Sequence, residues 1–146
     1  MTAVLHVAFR VGAAEYVVPA SLVLHLDAFV TATPIPGSAP YVAGLVQVRG
    51  RLVPVVDLRV RFGVTSSDQP AVGRRVIVVQ SGGRTAGLLA DSAREVIGID
   101  VTGFAPPPEL VETQATGFVK AVATLGTRLV LLIDVPRILG EEHRHD

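Results

Sequence analysis

The residues able to do chemistry in this chain are few, and their spacing is informative mainly for what it excludes. There is no cysteine, which removes thiol nucleophiles, zinc–thiolate sites and disulfides together. Four histidines stand at His6, His25, His143 and His145. His6 falls on the expected polar side of an opening strand. His143 and His145 lie in a charged terminal tail, where the spacing offers an adventitious metal contact and no designed site. His25 is the anomaly, because it interrupts the apolar stretch Val23-Leu24-His25-Leu26. It reads either as a half-exposed strand residue or as a polar group on a docking surface.

The carboxylates are mostly single residues at element ends. Asp57 closes an apolar run, as a phosphoacceptor would. Phosphoryl transfer of that kind needs a further acidic pair to hold magnesium and a lysine on a late strand. The first strand here ends Phe9-Arg10-Val11-Gly12, and Lys120 is the single lysine. Asp57 and Asp134 are read instead as helix N-caps. Gly82-Gly83 lacks the following Lys-Ser/Thr of a phosphate loop, and no serine sits in a Gly-x-Ser-x-Gly elbow. The expectation is no catalytic residue, no metal site and no cofactor.

The elements that would position these residues are strands. Leu5, Val7, Phe9 and Val11 alternate with Val4, His6, Ala8 and Arg10, the period of a half-buried strand. Further strands are expected at Tyr16–Val18, Val23–Ala28, Leu45–Val48, Leu52–Val56, Val76–Gln80, Thr85–Ala90, Glu95–Ile99, Phe118–Leu125 and Leu129–Ile133. Arg49-Gly50, Gly82-Gly83 and Gly126-Thr127 make tight turns between them. Pro54 cannot donate to a ladder and marks an edge or a bulge. Asp57 to Gly63 and Asp134 to Gly140 each read as one capped helical turn with a left-handed glycine stop. Thr31–Pro40, Thr65–Gly73 and Thr102–Thr116 read as loops, and Glu141–Asp146 as a frayed tail.

An internal repeat organises the chain. Tyr41 to Gly63 aligns without a gap on Phe118 to Gly140, with Arg51-Leu52-Val53 on Arg128-Leu129-Val130, Asp57 on Asp134 and Gly63 on Gly140. A weaker match sets Gly12 to Leu26 beside Gly82-Gly83 to Val96 and places His25 opposite Glu95. Each unit alone is near the lower size limit for a stable core. The expectation is one all-β domain over 1–146, with two small five-stranded barrel subdomains near 1–68 and 74–140, short capping helices and a shared apolar interface. The run Leu129–Ile133 is expected to be buried on both faces, as such an interface requires. Which strands cross between the subdomains is left open.

Composition narrows the partners. Thirteen basic residues balance thirteen acidic ones, which disfavours a nucleic-acid binder. The two tyrosines and five phenylalanines are too few, and too core-like at Tyr16, Phe62 and Phe118, for a base-stacking face. No stretch reaches the roughly 18 apolar residues of a spanning helix, and the N-terminus has no basic region followed by an apolar core. A cytoplasmic protein without direct membrane insertion is expected. Twelve of the thirteen basic residues are arginine. Arg49, Arg51, Arg59 and Arg61 cluster around one turn and one helix, either as a solvated rim or as carboxylate-seeking interface residues.

The run Gly44-Leu45-Val46-Gln47-Val48-Arg49-Gly50-Arg51-Leu52-Val53-Pro54-Val55-Val56-Asp57-Leu58-Arg59-Val60-Arg61-Phe62-Gly63 resembles the CheW-like family. The resemblance extends to Tyr41-Val42, Arg75–Val79, Gly87–Asp91, Arg94-Glu95-Val96 and Leu129–Leu139, which is most of residues 4 to 140. It implies two SH3-like five-stranded barrels around a shared core and no catalysed reaction. It implies two partners, the regulatory domain of a CheA-type histidine kinase and the hairpin tip of a methyl-accepting chemoreceptor, the tip lying between the subdomains. It also implies an adaptor working in arrays with chemoreceptors. By the same resemblance the docking positions are Val23, His25, Gly44, Gln47, Arg49, Gly50 and Gly87.

Two departures stand out. The family usually has Glu where this chain has His25, paired with the arginine equivalent to Arg49, and Asn where this chain has Gln47. A neutral His25 can only hydrogen-bond to Arg49, and a protonated one repels it. The resemblance therefore leaves two readings open: a coupling adaptor with both partners, or an accessory protein that binds only the receptor or only the kinase.

Overall fold

The computed structural model describes residues 3–64, 73–108 and 117–140. They form strands β1 (Ala3–Val11), β2 (Ala14–Pro19), β3 (Val23–Ala28), β4 (Val42–Val48) and β5 (Arg51–Asp57), then the helical turn α1 (Leu58–Arg61). There follow β6 (Arg75–Ser81), β7 (Arg84–Ala90), β8 (Ser92–Asp100), β9 (Phe104–Ala105), β10 (Val119–Leu125), β11 (Arg128–Ile133) and the turn α2 (Val135–Ile138). The tail histidines, Glu141, Glu142 and the expected loop at 65–72 lie outside the described residues. The two-residue β9 sits in what the sequence presents as loop. It owes its existence to pairing with Val122 and Ala123 of β10, a tertiary contact with no local signal.

The strands make two sheets, ordered β3-β6-β7-β5-β4 and β8-β1-β2-β11-β10-β9. Neighbours are antiparallel except β5 beside β7 and β11 beside β2. Both sheets curl into small SH3-like barrels. In the repeat, β1-β2 corresponds to β6-β7, and β4-β5-α1 to β10-β11-α2. The repeat units at 1–68 and 74–140 are nevertheless not the barrels. Each unit lends its first hairpin to the other, so one barrel runs continuously from β3 to β7 and the other joins β1-β2 to β8–β11. The two parallel pairings are the seams of this exchange.

The exchange puts the lent hairpins back to back and builds three cores. The largest is shared: Val7, Phe9, Val11, Tyr16 and Val18 meet Ile77, Val79, Leu88 and Ala90, with Leu58, Phe62, Val135, Ile138 and Leu139 from the helical turns. Smaller clusters fill the barrels, around Val53, Val55, Val76, Val78 and Leu89 in one and Ala8, Val17, Ile99, Ala123 and Val130 in the other. A strand turns successive side chains to opposite faces. Ile77 and Val79 therefore enter the shared core while Val76 and Val78 fill a barrel, which is why these strands read as unbroken apolar runs.

β11 behaves the same way at its centre, but not along its whole length. Val130 and Leu132 join the barrel cluster, and Leu131 and Ile133 the shared one, yet Leu129 is 57% exposed. The expectation of a strand buried on both faces fails at Leu129 because the strand begins beyond both cores, at the hairpin. His6 departs from its expected polar face as well. It is buried against the Phe104 ring, 5.4 Å between centroids, with Nδ1 2.8 Å from the Val4 carbonyl. The expected polar face of β1 is the inside of a barrel.

The helical turns form as their caps dictate. Asp57 accepts from the Arg59 amide at 3.0 Å, and Asp134 accepts from the Arg137 amide at 3.3 Å. Gly63 and Gly140 end the turns at φ 73° and 85°, a region where a Cβ is disfavoured. Polar contacts then lock the barrels together. Asp91, only 7% exposed, accepts from the Gly12 amide at 2.7 Å and from Arg59 Nε at 2.6 Å. Arg61 donates to the carbonyls of Ile138 and Arg137, both at 3.0 Å. Its guanidinium lies over the rings of Tyr41 and Phe118, at 3.8 and 4.6 Å. Asp91→Ala removes the acceptor of the buried Gly12 amide and one acceptor of the half-buried Arg59 guanidinium. It is expected to cost about 3 kcal/mol of stability, read as a lower urea midpoint with an unchanged slope.

Candidate functional site

Most groups with reactive potential are committed to the fold. Asp57 caps α1 and also receives Arg74 at 3.0 Å. Asp134 caps α2, Asp91 joins the barrels, and His6 is interior. Among the described residues no group of three or more His, Asp or Glu side chains could hold a metal ion. The four-arginine cluster divides. Arg59 and Arg61 turn inward to the contacts above, while Arg49 and Arg51 stay on the β4–β5 hairpin, Arg51 reaching Thr85 Oγ1 at 3.5 Å.

All seven positions that the family resemblance marks for docking fall in the β3-to-β7 barrel. Gly44 and Gly87 are buried, and their reasons are steric. Gly44 sits at a β-bulge with φ 140°, where a Cβ would collide with the Thr33 carbonyl. That carbonyl is held by the Leu45 amide at 2.8 Å. At Gly87 a Cβ would stand 2.6 Å from Val76 Cγ1 and 3.1 Å from Val55 Cγ2, because β5 and β7 pair in parallel there. Gln47 is exposed on β4 opposite Leu52, which is itself 69% exposed. Val23 packs on the shared core from the start of β3, and His25 follows it across a bulge, half-buried opposite Val78.

The Arg49-Gly50 turn is the strained point. Arg49 has φ 51° and Gly50 φ 81°, the double positive φ of a two-residue hairpin that favours Asn-Gly. Arg49 is the one non-glycine residue with positive φ among those described. From the far end of β4 its guanidinium meets Asp27 Oδ1 on β3, the opposite edge strand, at 3.7 Å. The barrel closes there. Asp27 lies two residues from His25 and so on the same face. It is the residue sequence reasoning missed, and the period-2 pattern of β3 was the signal that pointed to it.

The other barrel shows what this corner would be with a full set of carboxylates. Arg128, the repeat partner of Arg51, donates to Glu15 at 3.1 and 2.7 Å and to Glu95 at 2.6 Å. These two acids, Glu15 foremost, push its pKa further above the usual arginine range. The counterparts of Glu15 and Glu95 in the repeat are Thr85 and His25. One barrel end is thus an arginine clamped by two carboxylates, while at the other Arg49 meets Asp27 and Arg51 meets Thr85.

Both edge strands beside the shared core carry exposed apolar residues on their core-facing side. Leu26 pairs with Ile77 and Val96 with Val7, and paired residues in an antiparallel sheet share a face. Ile77 and Val7 are in the shared core, but Leu26 and Val96 on the edge strands remain 37% and 55% exposed. With Leu5, on the same face as Val7, they extend that core to the surface.

A double barrel whose polar groups hold it together, with a strained charged hairpin and exposed apolar edge residues, defines a protein-docking domain. The family model for the CheW-like domain matches residues 6–143, and the chain belongs to that family. It is 29% identical over 138 residues to "Chemotaxis protein CheW" of Rhizobium meliloti, covering 94% of this chain and 88% of the relative. It is 30% identical over 136 residues to the protein of the same name from Klebsiella aerogenes, covering 92% and 80%. The solved scaffolding protein TtCheW from Thermoanaerobacter tengcongensis superposes with a TM-score of 0.82 at 30% identity, over 92% of this chain and 86% of that one.

Relief of the positive φ gives a direct check on the hairpin. Arg49→Asn is expected to raise stability by roughly 0.5–1 kcal/mol, seen as a higher urea midpoint. An unchanged or lower midpoint would show that the Asp27 contact outweighs the backbone strain.

Proposed function

We propose that this protein is a non-catalytic adaptor that couples methyl-accepting chemoreceptors to a CheA-type histidine kinase, working in arrays with those receptors. The observation that carries the reading is the match to chemotaxis CheW relatives along nearly the whole chain. The printed description of the solved neighbour as a scaffolding protein supports it. The commitment of Asp57, Asp91 and Asp134 to structural contacts agrees with a role without chemistry.

The two partners take different faces. The receptor hairpin tip, a helical structure with apolar ridges, lies against Leu5, Leu26 and Val96. The kinase regulatory domain, itself of this fold, docks through the β3-to-β7 barrel around the Arg49-Gly50 hairpin, Gln47 and His25. An open edge strand and hairpin end suit contact with a second barrel. The second reading, raised by His25 where the family usually has Glu, is an accessory adaptor that binds only the receptor or only the kinase in a specialised chemosensory pathway.

Calorimetric titration against the regulatory domain of the source organism's own CheA-type kinase tests the reading. The chain has no tryptophan, so heat is a better signal than intrinsic fluorescence. Saturable one-to-one binding with a Kd on the order of micromolar is expected. No heat at about 100 µM would overturn the kinase arm and leave the single-partner alternative. For the receptor arm, Leu26→Glu and Val96→Glu are each expected to weaken capture of a receptor hairpin fragment by roughly tenfold, from the loss of one apolar contact. Both residues are partly exposed, so the fold should survive, as an unchanged melting temperature would confirm. Undiminished capture by both variants would remove these residues from the receptor contact.

A further inference from the structure

We infer that Asp27 is the positioning residue for Arg49 in partner docking, so that in this chain the carboxylate of the docking corner stands at position 27. The inference rests on the docking role proposed above. Its argument comes from two locally unfavourable choices that meet at one place. Arg49 holds a positive φ that glycine or asparagine would adopt at lower cost. Strain of this kind persists where a side chain is needed at that point. Asp27 sits on an edge strand whose neighbours Leu24 and Leu26 are apolar, and its Oδ2 is buried with no donor among the described residues. Burying a carboxylate oxygen without a donor is unfavourable. Neither choice is explained by the stability of its own element.

The geometry joins them. Asp27 Oδ1 is 3.7 Å from the Arg49 guanidinium, whose side chain remains 62% exposed against 31% for Asp27. The carboxylate therefore touches one side of the cation and leaves the rest facing outward, as a docking cation requires. In solvent such a pair is weak. It strengthens when a partner excludes water from it, so its effect belongs to the complex more than to the free protein. Asp57 and Asp91 stand at the far ends of β5 and β7 from the Arg49-Gly50 turn and are engaged by Arg59 and Arg74. His25 is on the same face, two residues away, where a carboxylate could take over the role of Asp27.

The test uses the full chain, with calorimetry against the kinase regulatory domain and capture of the receptor hairpin fragment. Asp27→Asn is expected to weaken the kinase titration by about 3- to 10-fold at an unchanged melting temperature, with receptor capture unaltered. Adding His25→Glu should restore the affinity. Adding Asp27→Asn to Arg49→Ala should cost nothing further, because the two residues act as one unit. Full affinity of Asp27→Asn, or additive losses in the double variant, would overturn the inference. A wild type that binds neither probe would sink the adaptor reading instead. Positioning is then decided on the protein alone, from the Arg49 Nε–H and Gly50 amide resonances of nitrogen-labelled protein. Their displacement by Asp27→Asn but not by His25→Ala supports the inference, and their indifference to Asp27→Asn overturns it.

Discussion

The rest of the structure depends on the shared apolar core between the two barrels. Neither barrel encloses much apolar volume by itself: one is filled mainly by valines, the other partly by alanines. The large side chains, Phe9, Tyr16, Phe62, Leu58, Ile77, Leu88 and Ile138, are assigned to the space between them. Since hydrophobic stabilisation follows the apolar area removed from water, the barrels stabilise one another more than themselves. The hairpin exchange follows from the same constraint. By lending β1-β2 and β6-β7 across the seam, the chain sets its most apolar strands back to back, and the parallel pairs β2–β11 and β5–β7 tie the lent hairpins into their hosts.

The polar contacts refine that arrangement. Asp91 lies at the end of one lent hairpin and holds the Gly12 turn of the other, with Arg59 of α1 as third member. Arg61 reaches from α1 to the carbonyl end of α2 and is stacked between Tyr41 and Phe118, residues equivalent in the repeat. Buried charge pairs add modestly to net stability but penalise alternatives that separate them. Here the Asp91 and Arg61 contacts tie the two barrels together at the Gly12 turn and between α1 and α2.

The repeat also shows how the proposed docking corner departs from its structural counterpart. The Glu15–Arg128–Glu95 clamp holds its arginine through Nε and one terminal nitrogen between two carboxylates. At the equivalent corner Thr85 and His25 replace the two acids, and a strained Arg49 projects beside Asp27. One end of the molecule is closed by its own charges, and the other keeps cations facing outward.

The sequence by itself determined the repeat, the all-β class, both capped turns with their glycine stops, and the hairpin at Arg49-Gly50. These are local: alternation with period 2, a capping aspartate and a positive-φ glycine act within a few residues. Through the resemblance it also marked seven positions, which the fold gathers in the β3-to-β7 barrel. Only the tertiary structure decided which hairpin joins which barrel, because the same alternating runs satisfy either pairing until the shared core selects one. The same dependence turned His6 inward, exposed Leu129, created β9, and brought Asp27 to Arg49. Each of those outcomes depends on what a distant strand places opposite the residue, and a side chain two or three residues away carries no record of that.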